Sequence, residues 1–158
     1  MHPRAREFSE LAAAEYGFEV DVYEFPEGTK TAADAADAIG CSVAQIASSI
    51  VLSADGALVV VVTSGANRVD LTKVASILDV SAESVEMADA GPIRETIGWS
   101  IGGVPPFCHE TDVPVFIDET LLEHDELWAA AGTPEAVFPI PPERLRRISG
   151  GEPADVIE

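Results

Sequence analysis

Apolar residues Ala5, Phe8, Leu11, Ala12 and Tyr16 recur at close to helical spacing between Arg4 and Tyr16, so the pattern predicts a first helix that stops at Gly17. Along FEVDVYEF the period changes to two, with Phe18, Val20, Val22 and Glu24 on one side, which reads as a strand. Thr31 and Asp34 form a capping pair at the start of a second helix that Gly40 ends. In QIASSIVLSADGALVVVVTS two β-rich runs flank Asp55-Gly56, a dipeptide that predicts a hairpin and hence antiparallel neighbours. Helical spacing returns at Leu71, Val74, Ala75 and Leu78, and Pro92 suits the first turn of another short helix. SVEMA, VPVFID and EAVFPI read as short strands, PPERLRRI as a helix, and GEPADVIE as an edge strand. Hairpins with interspersed helices predict an α+β fold around a mixed, mostly antiparallel sheet.

One stretch fits neither period. GWSIGGVPPFCHE, from Gly98 to Glu110, carries three glycines and a Pro-Pro pair, which exclude a regular helix or an interior strand. Trp99, Ile101, Val104 and Phe107 lie among them, so a shaped loop held against the protein body is expected, with backbone amides facing a cavity.

Length and composition narrow the setting. A chain of 158 residues fits one domain, spanning 1–158, with a core that needs no disulfides. Cys41 and Cys108 are its two cysteines and lack C-x-x-C spacing, so reduced thiols are expected and structural zinc is not. The longest apolar run, ALVVVV, is too short to span a bilayer, and no apolar leader follows Met1, so a soluble cytoplasmic protein without a membrane partner is expected. The balance of 28 acidic against 9 basic residues gives a formal net charge of -19, while hydrophobic residues make up 47%. Such a charge on a chain rich in core residues suggests a halophile's cytoplasm, where molar salt shortens the Debye length to about 3 Å.

Candidate chemistry is sparse. Cys108 and His109 are adjacent and would point opposite ways in an extended loop, which disfavours a nucleophile and base pair. His2, His109 and His124 have no metal-ligand spacing, so no metal is expected. Neither a P-loop nor G-x-G-x-x-G occurs, and no cofactor is implied. Arg68 and Lys73 in GANRVDLTK stand where a phosphate could be met, or where acids could pair with them. Arg144, Arg146 and Arg147 complement the C-terminal end of a helix.

Taken together, TAADAADAIGCSVAQIASSIVL, RVDLTKVA, GWSIGGVPPFCH, VPVFIDETLLEHDELWAAAG and PERL resemble the YbaK family of prolyl-tRNA editing domains, from about Thr31 onward. The resemblance implies a partly barrel-like sheet with flanking helices and a free-standing deacylase that hydrolyses the ester of mischarged tRNA. It implies contact with the tRNA acceptor end, which the scarcity of cations makes transient and weak, and no DNA partner is expected. Gly102 and Gly103 match the family's glycine loop, in which amides approach the ester, and Ile101, Val104, Pro105 and Pro106 complete its walls. Asp118 matches a family acid that polarises water or positions the amino group, or caps the following turn. Thr31, Ser49 and Gly132 are the remaining expected substrate contacts. Ser48 occupies the position where many members carry a lysine, and Thr133 stands where many carry a histidine. Ser48 is therefore the expected catalytic position with altered chemistry. The alternative is a non-catalytic member that binds an aminoacyl compound or a protein partner through the same pocket.

Overall fold

The computed structural model describes residues 1–25 and 31–158. Helix α1, Pro3–Tyr16, places Ala5, Phe8 and Ala12 on its buried side and ends at Gly17, whose φ of 63° closes the last turn. Strand β1 is only Tyr23–Glu24, shorter than the alternation predicts. Phe18, Val20 and Val22 instead pack against the core from chain that has no ladder partner among the described residues. Helix α2, Ala32–Ile39, is capped by Thr31 Oγ1, which accepts from the Asp34 amide at 3.0 Å, and stops at Gly40.

The long hairpin forms as predicted. Strand β2, Ile46–Ala54, pairs antiparallel with β3, Ala57–Ser64, around Asp55 and Gly56, both with positive φ. Helix α3, Leu71–Leu78, is followed by β4, Val85–Met87. A single helical turn α4, Ala90–Pro92, opens into a π turn at Ile93–Ile97. Strand β5, Val115–Asp118, runs into a 3-10 turn at Glu119–Glu123, and then come β6, Leu127–Ala130, and β7, Ala136–Ile140. Helix α5, Pro142–Ser149, and β8, Glu152–Ala154, complete the chain's regular elements.

The strands form one sheet in the order β1-β7-β6-β2-β3-β5-β8, with β4 paired to β2 off this path. Pairings β1–β7, β2–β3, β2–β4 and β6–β7 are antiparallel, and β2–β6, β3–β5 and β5–β8 are parallel. The expected mixed, mostly antiparallel sheet is present, but β1 and β8 stand at opposite ends of the path. The sheet therefore does not close into a barrel.

Both faces are covered, which explains the unbroken valine run in β3. Val60 and Val62 face a core shared with Phe8, Phe107, Phe138 and α1, whereas Val59 and Val61 face Val74 and Ala75 of α3. A smaller cluster seats Ala35 and Ala36 of α2 on Ile46 and Trp128.

Candidate active site

The site begins with an irregularity in the pairing of β2. One edge of this strand is paired with β3 from Ala47 to Ala54. Its other edge meets β6 only at Ile46 and Ala47, and β4 only from Leu52 to Ala54. Between those contacts the Val51 carbonyl accepts from the Ala88 amide at 3.1 Å, and Ser48–Ile50 have no strand beside them among the described residues. The gap opens into a cavity of about 270 Å³, whose walls include Ala35, Ala88, Ile93, Trp128 and Val137. Small side chains, Ala129, Ala130 and Ala136, line it where β6 and β7 pass.

The glycine loop forms another wall. Its ends meet where the Glu110 amide donates to the Ile97 carbonyl at 2.9 Å, which makes residues 98–109 a closed surface loop. Trp99 and Phe107 anchor it in the core against Phe8, with ring centroids 6.1 and 5.4 Å away. Trp99 Nε1 donates to the Cys108 carbonyl at 2.8 Å, and Nε2 of His109 lies 2.8 Å from the Pro105 carbonyl, to which it donates as the Nε2–H tautomer. Burial holds the His109 pKa below its ordinary value, against the opposing effects of that carbonyl and the Asp112 charge.

At the loop's tip Ser100–Gly103 form a turn, with the Gly103 amide donating to the Ser100 carbonyl at 3.0 Å and Gly102 at φ 88°. Gly102 and Val104 both line the cavity, and their amides have no hydrogen-bond acceptor among the described residues. Ile101 is 58% exposed at the mouth, where the sequence suggested an inward-packed residue.

The remaining expected residues divide in two. Thr31, Ser48 and Ser49 line the cavity with Ile101, Gly102 and Val104. Gly103, Pro105, Pro106, Gly132 and Asp118 do not. Gly103 lies so close to the Thr133 backbone that a Cβ there would meet its atoms at 2.7–2.9 Å, and its amide is committed to the turn. Gly132 lets Trp99 and the Arg4 carbonyl approach, since a Cβ would sit 2.7 and 2.9 Å from them. Pro105 and Pro106 are buried behind the tip.

Asp118 is fully buried and has both oxygens occupied. Its Oδ2 accepts from the Ser64 amide and from Asn67 Nδ2, each at 3.0 Å. Its Oδ1 accepts from the Thr120 amide at 3.0 Å and the Thr120 hydroxyl at 2.8 Å. This carboxylate caps the 3-10 turn and ties β5 to the end of β3, which leaves it no oxygen to offer water.

Ser49 brings a buried, unpaired hydroxyl to the cavity wall. Its Oγ is the one buried side-chain polar atom without a hydrogen-bond partner among the described residues. An orphaned hydroxyl costs about 1–3 kcal/mol, a cost that a polar partner reaching this wall would relieve. No described residue lining the cavity is ionisable. Cys108 supplies no nucleophile either, because burial, aided by the Glu15 charge, pushes its thiol up to about 12. Lys73 is committed elsewhere, with Nζ on Asp155 at 3.0 Å and on the Ile157 carbonyl at 2.7 Å. Lys30 lies outside the described residues. Among the described residues no group of three His, Cys, Asp or Glu is placed to hold a metal ion, and no helix is long and apolar enough to cross a membrane.

The walls contributed by Met87, Trp128, Ala130 and Pro134 had not been assigned from the sequence. The only local signal was the run of small residues in LWAAAG.

A split sheet edge faces a glycine loop, with a small cavity between them whose described walls are uncharged, and together they define a pocket for a compact polar-ended group. The chain belongs to the aminoacyl-tRNA editing domain family, whose family model matches residues 26–148. The uncharacterized protein YwhH of Bacillus subtilis (strain 168) is 29% identical over 132 residues, 83% of this chain and 82% of that one. Proline--tRNA ligase of Bacillus licheniformis is 29% identical over 116 residues, 71% of this chain, which spans only 20% of the ligase. A crystal structure described as a candidate trans-editing enzyme for prolyl tRNA synthetase superposes with a TM-score of 0.93 at 36% identity, covering 100% of this chain and 99% of that one. The hypothetical protein APE2540, at 24% identity and a TM-score of 0.84, shares the fold.

Proposed function

We propose that this chain is a trans-acting aminoacyl-tRNA deacylase of the prolyl-tRNA editing type, which hydrolyses the ester of mischarged tRNA in the cytoplasm. The observation that carries the reading is the 270 Å³ cavity between the unpaired edge of Ser48–Ile50 and the Gly102 tip, with the Ser49 hydroxyl unsatisfied on its wall. Membership of the editing-domain family and the likeness to a prolyl trans-editing candidate support it. In this reading the aminoacyl side chain sits among the alanines of β6 and β7, and Ser49 Oγ turns to bond the α-amino group. A pocket of this size takes small side chains and rejects large ones, a second sieve that complements the about 1–3 kcal/mol a single methylene offers.

The Gly102 and Val104 amides face the ester carbonyl, and donors preorganised toward a developing oxyanion are worth about 3 kcal/mol each. Water attacks the carbonyl carbon, and the bond to the ribose oxygen breaks. With no ionisable group on the described walls, the vicinal ribose hydroxyl of the tRNA assists proton transfer. Gly103 and Asp118 serve by holding the loop and the end of β3 in register.

A second reading, a non-catalytic binder, draws on Ser48, which stands in place of the family's lysine and leaves the described cavity walls uncharged. A deacylation panel of mischarged tRNAs, run in concentrated KCl on the wild type and Ser48→Lys, separates the two. Wild-type turnover with a modest gain in the variant supports the enzyme. Saturable binding with turnover only in the variant supports the binder.

The formal charge of -19 fits a protein adapted to high salt. On that basis the thermal midpoint rises substantially between about 0.1 M and 2 M KCl, as screening relieves repulsion and salt strengthens apolar burial. A flat midpoint would remove the halophile assignment. The same conditions weaken cationic contacts to RNA, so transient contact with the acceptor end is expected.

A further inference from the structure

A second, larger cavity adjoins the first. Its volume is about 880 Å³, within the roughly 300–1,000 Å³ of small-molecule sites. Ala32, Ser48, Ile50 and Met87 line both cavities, so the two meet over this stretch of β2. The larger one contains Thr63, Ser64, Asn67 and Arg68 as further polar lining.

Arg68 is the sole cationic side chain lining either cavity among the described residues. Four ion pairs form among those residues, Met1–Glu24, Arg4–Glu7, Lys73–Asp155 and Arg146–Glu143, and none uses Arg68. Arg6, Arg94, Arg144 and Arg147 enter none of these pairs either, so Arg68 is set apart by its place on the cavity lining.

Its backbone is also firmly placed. The Arg68 carbonyl accepts from the Glu158 amide at 2.9 Å, and the neighbouring Val69 bridges to Ile157. On the other side the Asn67 amide donates to the Ser64 carbonyl at 3.0 Å, while the Asn67 side chain is held by Asp118 and Thr120. The buried Asp118 thus acts as a positioning residue for this turn. The carboxylates on the lining are Asp70 and Glu158. Asp70 Oδ1 is already occupied by the Thr72 and Lys73 amides, which also closes the start of α3 to an outside anion. Among the described residues Arg68 is the one cation on this lining for an incoming phosphate, and Glu158 and Asp70 are the carboxylates it must outweigh.

Resting on the deacylase reading above, we infer that the larger cavity is the site for the 3′-terminal nucleotide of the acylated tRNA, with Arg68 binding its 5′-phosphate. The ester then lies over Ser48, the aminoacyl group enters the smaller cavity, and the base rests on the apolar side chains of Ile50 and Met87. Met87 is 56% exposed, an open apolar surface suited to such a contact. A guanidinium offers a forked pair of donors to phosphate, and it acts here from the turn between β3 and α3.

The test uses a hydrolysis-resistant probe, 3′-alanylamino-3′-deoxyadenosine, with and without a 5′-phosphate, titrated calorimetrically into the wild type, Arg68→Ala and Arg68→Lys. The phosphate should tighten wild-type binding roughly tenfold, the size of one charge-assisted contact, and should give no advantage in Arg68→Ala. Arg68→Lys should keep part of it. Arg68 is exposed, so the variants should melt like the wild type. An equal phosphate advantage in the wild type and Arg68→Ala, or none in either, overturns the assignment, as does failure of the wild type to bind both probes. Deacylation of mischarged tRNA by the wild type, measured in parallel, decides the enzyme reading separately. Turnover with an Arg68-independent phosphate effect removes only the nucleotide site, and an Arg68-dependent effect without turnover removes only the enzyme.

Discussion

The two halves of β2 are built to different rules. From Leu52 to Ala54 the strand is paired on both edges, with β3 on one side and β4 on the other, and Leu52 is fully buried against Val85 and the α3 core. From Ser48 to Ile50 it is paired on one edge only, its side chains are half-buried, and one hydroxyl has no partner. The same ladder with β3 supports both halves, so the open half is held in place from one edge. A site needs this combination, unsatisfied polar groups on a backbone that cannot relax to satisfy them.

The contrast is broken most sharply by one substitution in each half. Leu52→Ala in the closed half should cost roughly 2–5 kcal/mol, seen as a large fall in the denaturation midpoint. Ser49→Ala in the open half should leave that midpoint unchanged or slightly higher, because it removes an orphaned hydroxyl, while deacylation falls about tenfold. Equal destabilisation by both would mean that the halves do not differ in purpose.

The loop opposite the open edge gives the next effect in size. In Gly103→Ala the new methyl group would collide with the Thr133 backbone, with contacts of 2.7–2.9 Å, so roughly 1–3 kcal/mol of stability and most of the turnover should be lost. Gly102→Ala meets only Pro134 at 3.4 Å but must hold φ 88°, so strain of about 1 kcal/mol and a fall in turnover with little loss of melting temperature are expected. Turnover unaffected by Gly102→Ala would remove the tip from the ester site.

The smallest effect concerns the clamp behind the tip. Burial lowers the folded-state pKa of His109, so its neutral form is favoured by folding and its contribution is complete above about pH 6.5. It is lost as the pH falls from there through the lowered folded value, because the proton then binds the unfolded chain first. Thermal midpoints measured from pH 7 downward should fall less steeply for His109→Gln than for the wild type. Parallel curves would assign the acid sensitivity to other groups.

The parts of this molecule that rest on local chemistry were legible in the sequence. Helix α1 ends at Gly17, Thr31 and Gly40 bracket α2, and Asp55-Gly56 turns the hairpin, because each signal lies within a few residues of its effect. The glycine loop was legible as a loop for the same reason. What the sequence hid is non-local. Nothing in QIASSIVL reveals that β6 leaves β2 at Ala47 and that β4 joins at Leu52, yet that interval makes the cavity. Asp118 looks the same in sequence whether its oxygens face water or the amides of Ser64 and Thr120. Gly102 and Gly103 are neighbours of one type, but one lines the cavity and the other packs on Thr133, a difference set by a distant segment.

The claim that the open edge of β2 and the Gly102 tip together hold the aminoacyl group is tested most directly by backbone amide shifts during titration with 3′-alanylamino-3′-deoxyadenosine. The expected result is saturable perturbation at Ser48–Ile50, Gly102 and Val104, with Ser53 and Ala54 in the closed half unmoved. Perturbation confined to other surfaces, such as Arg146–Gly151 at the C-terminal end of α5, or none at saturating probe, would contradict it.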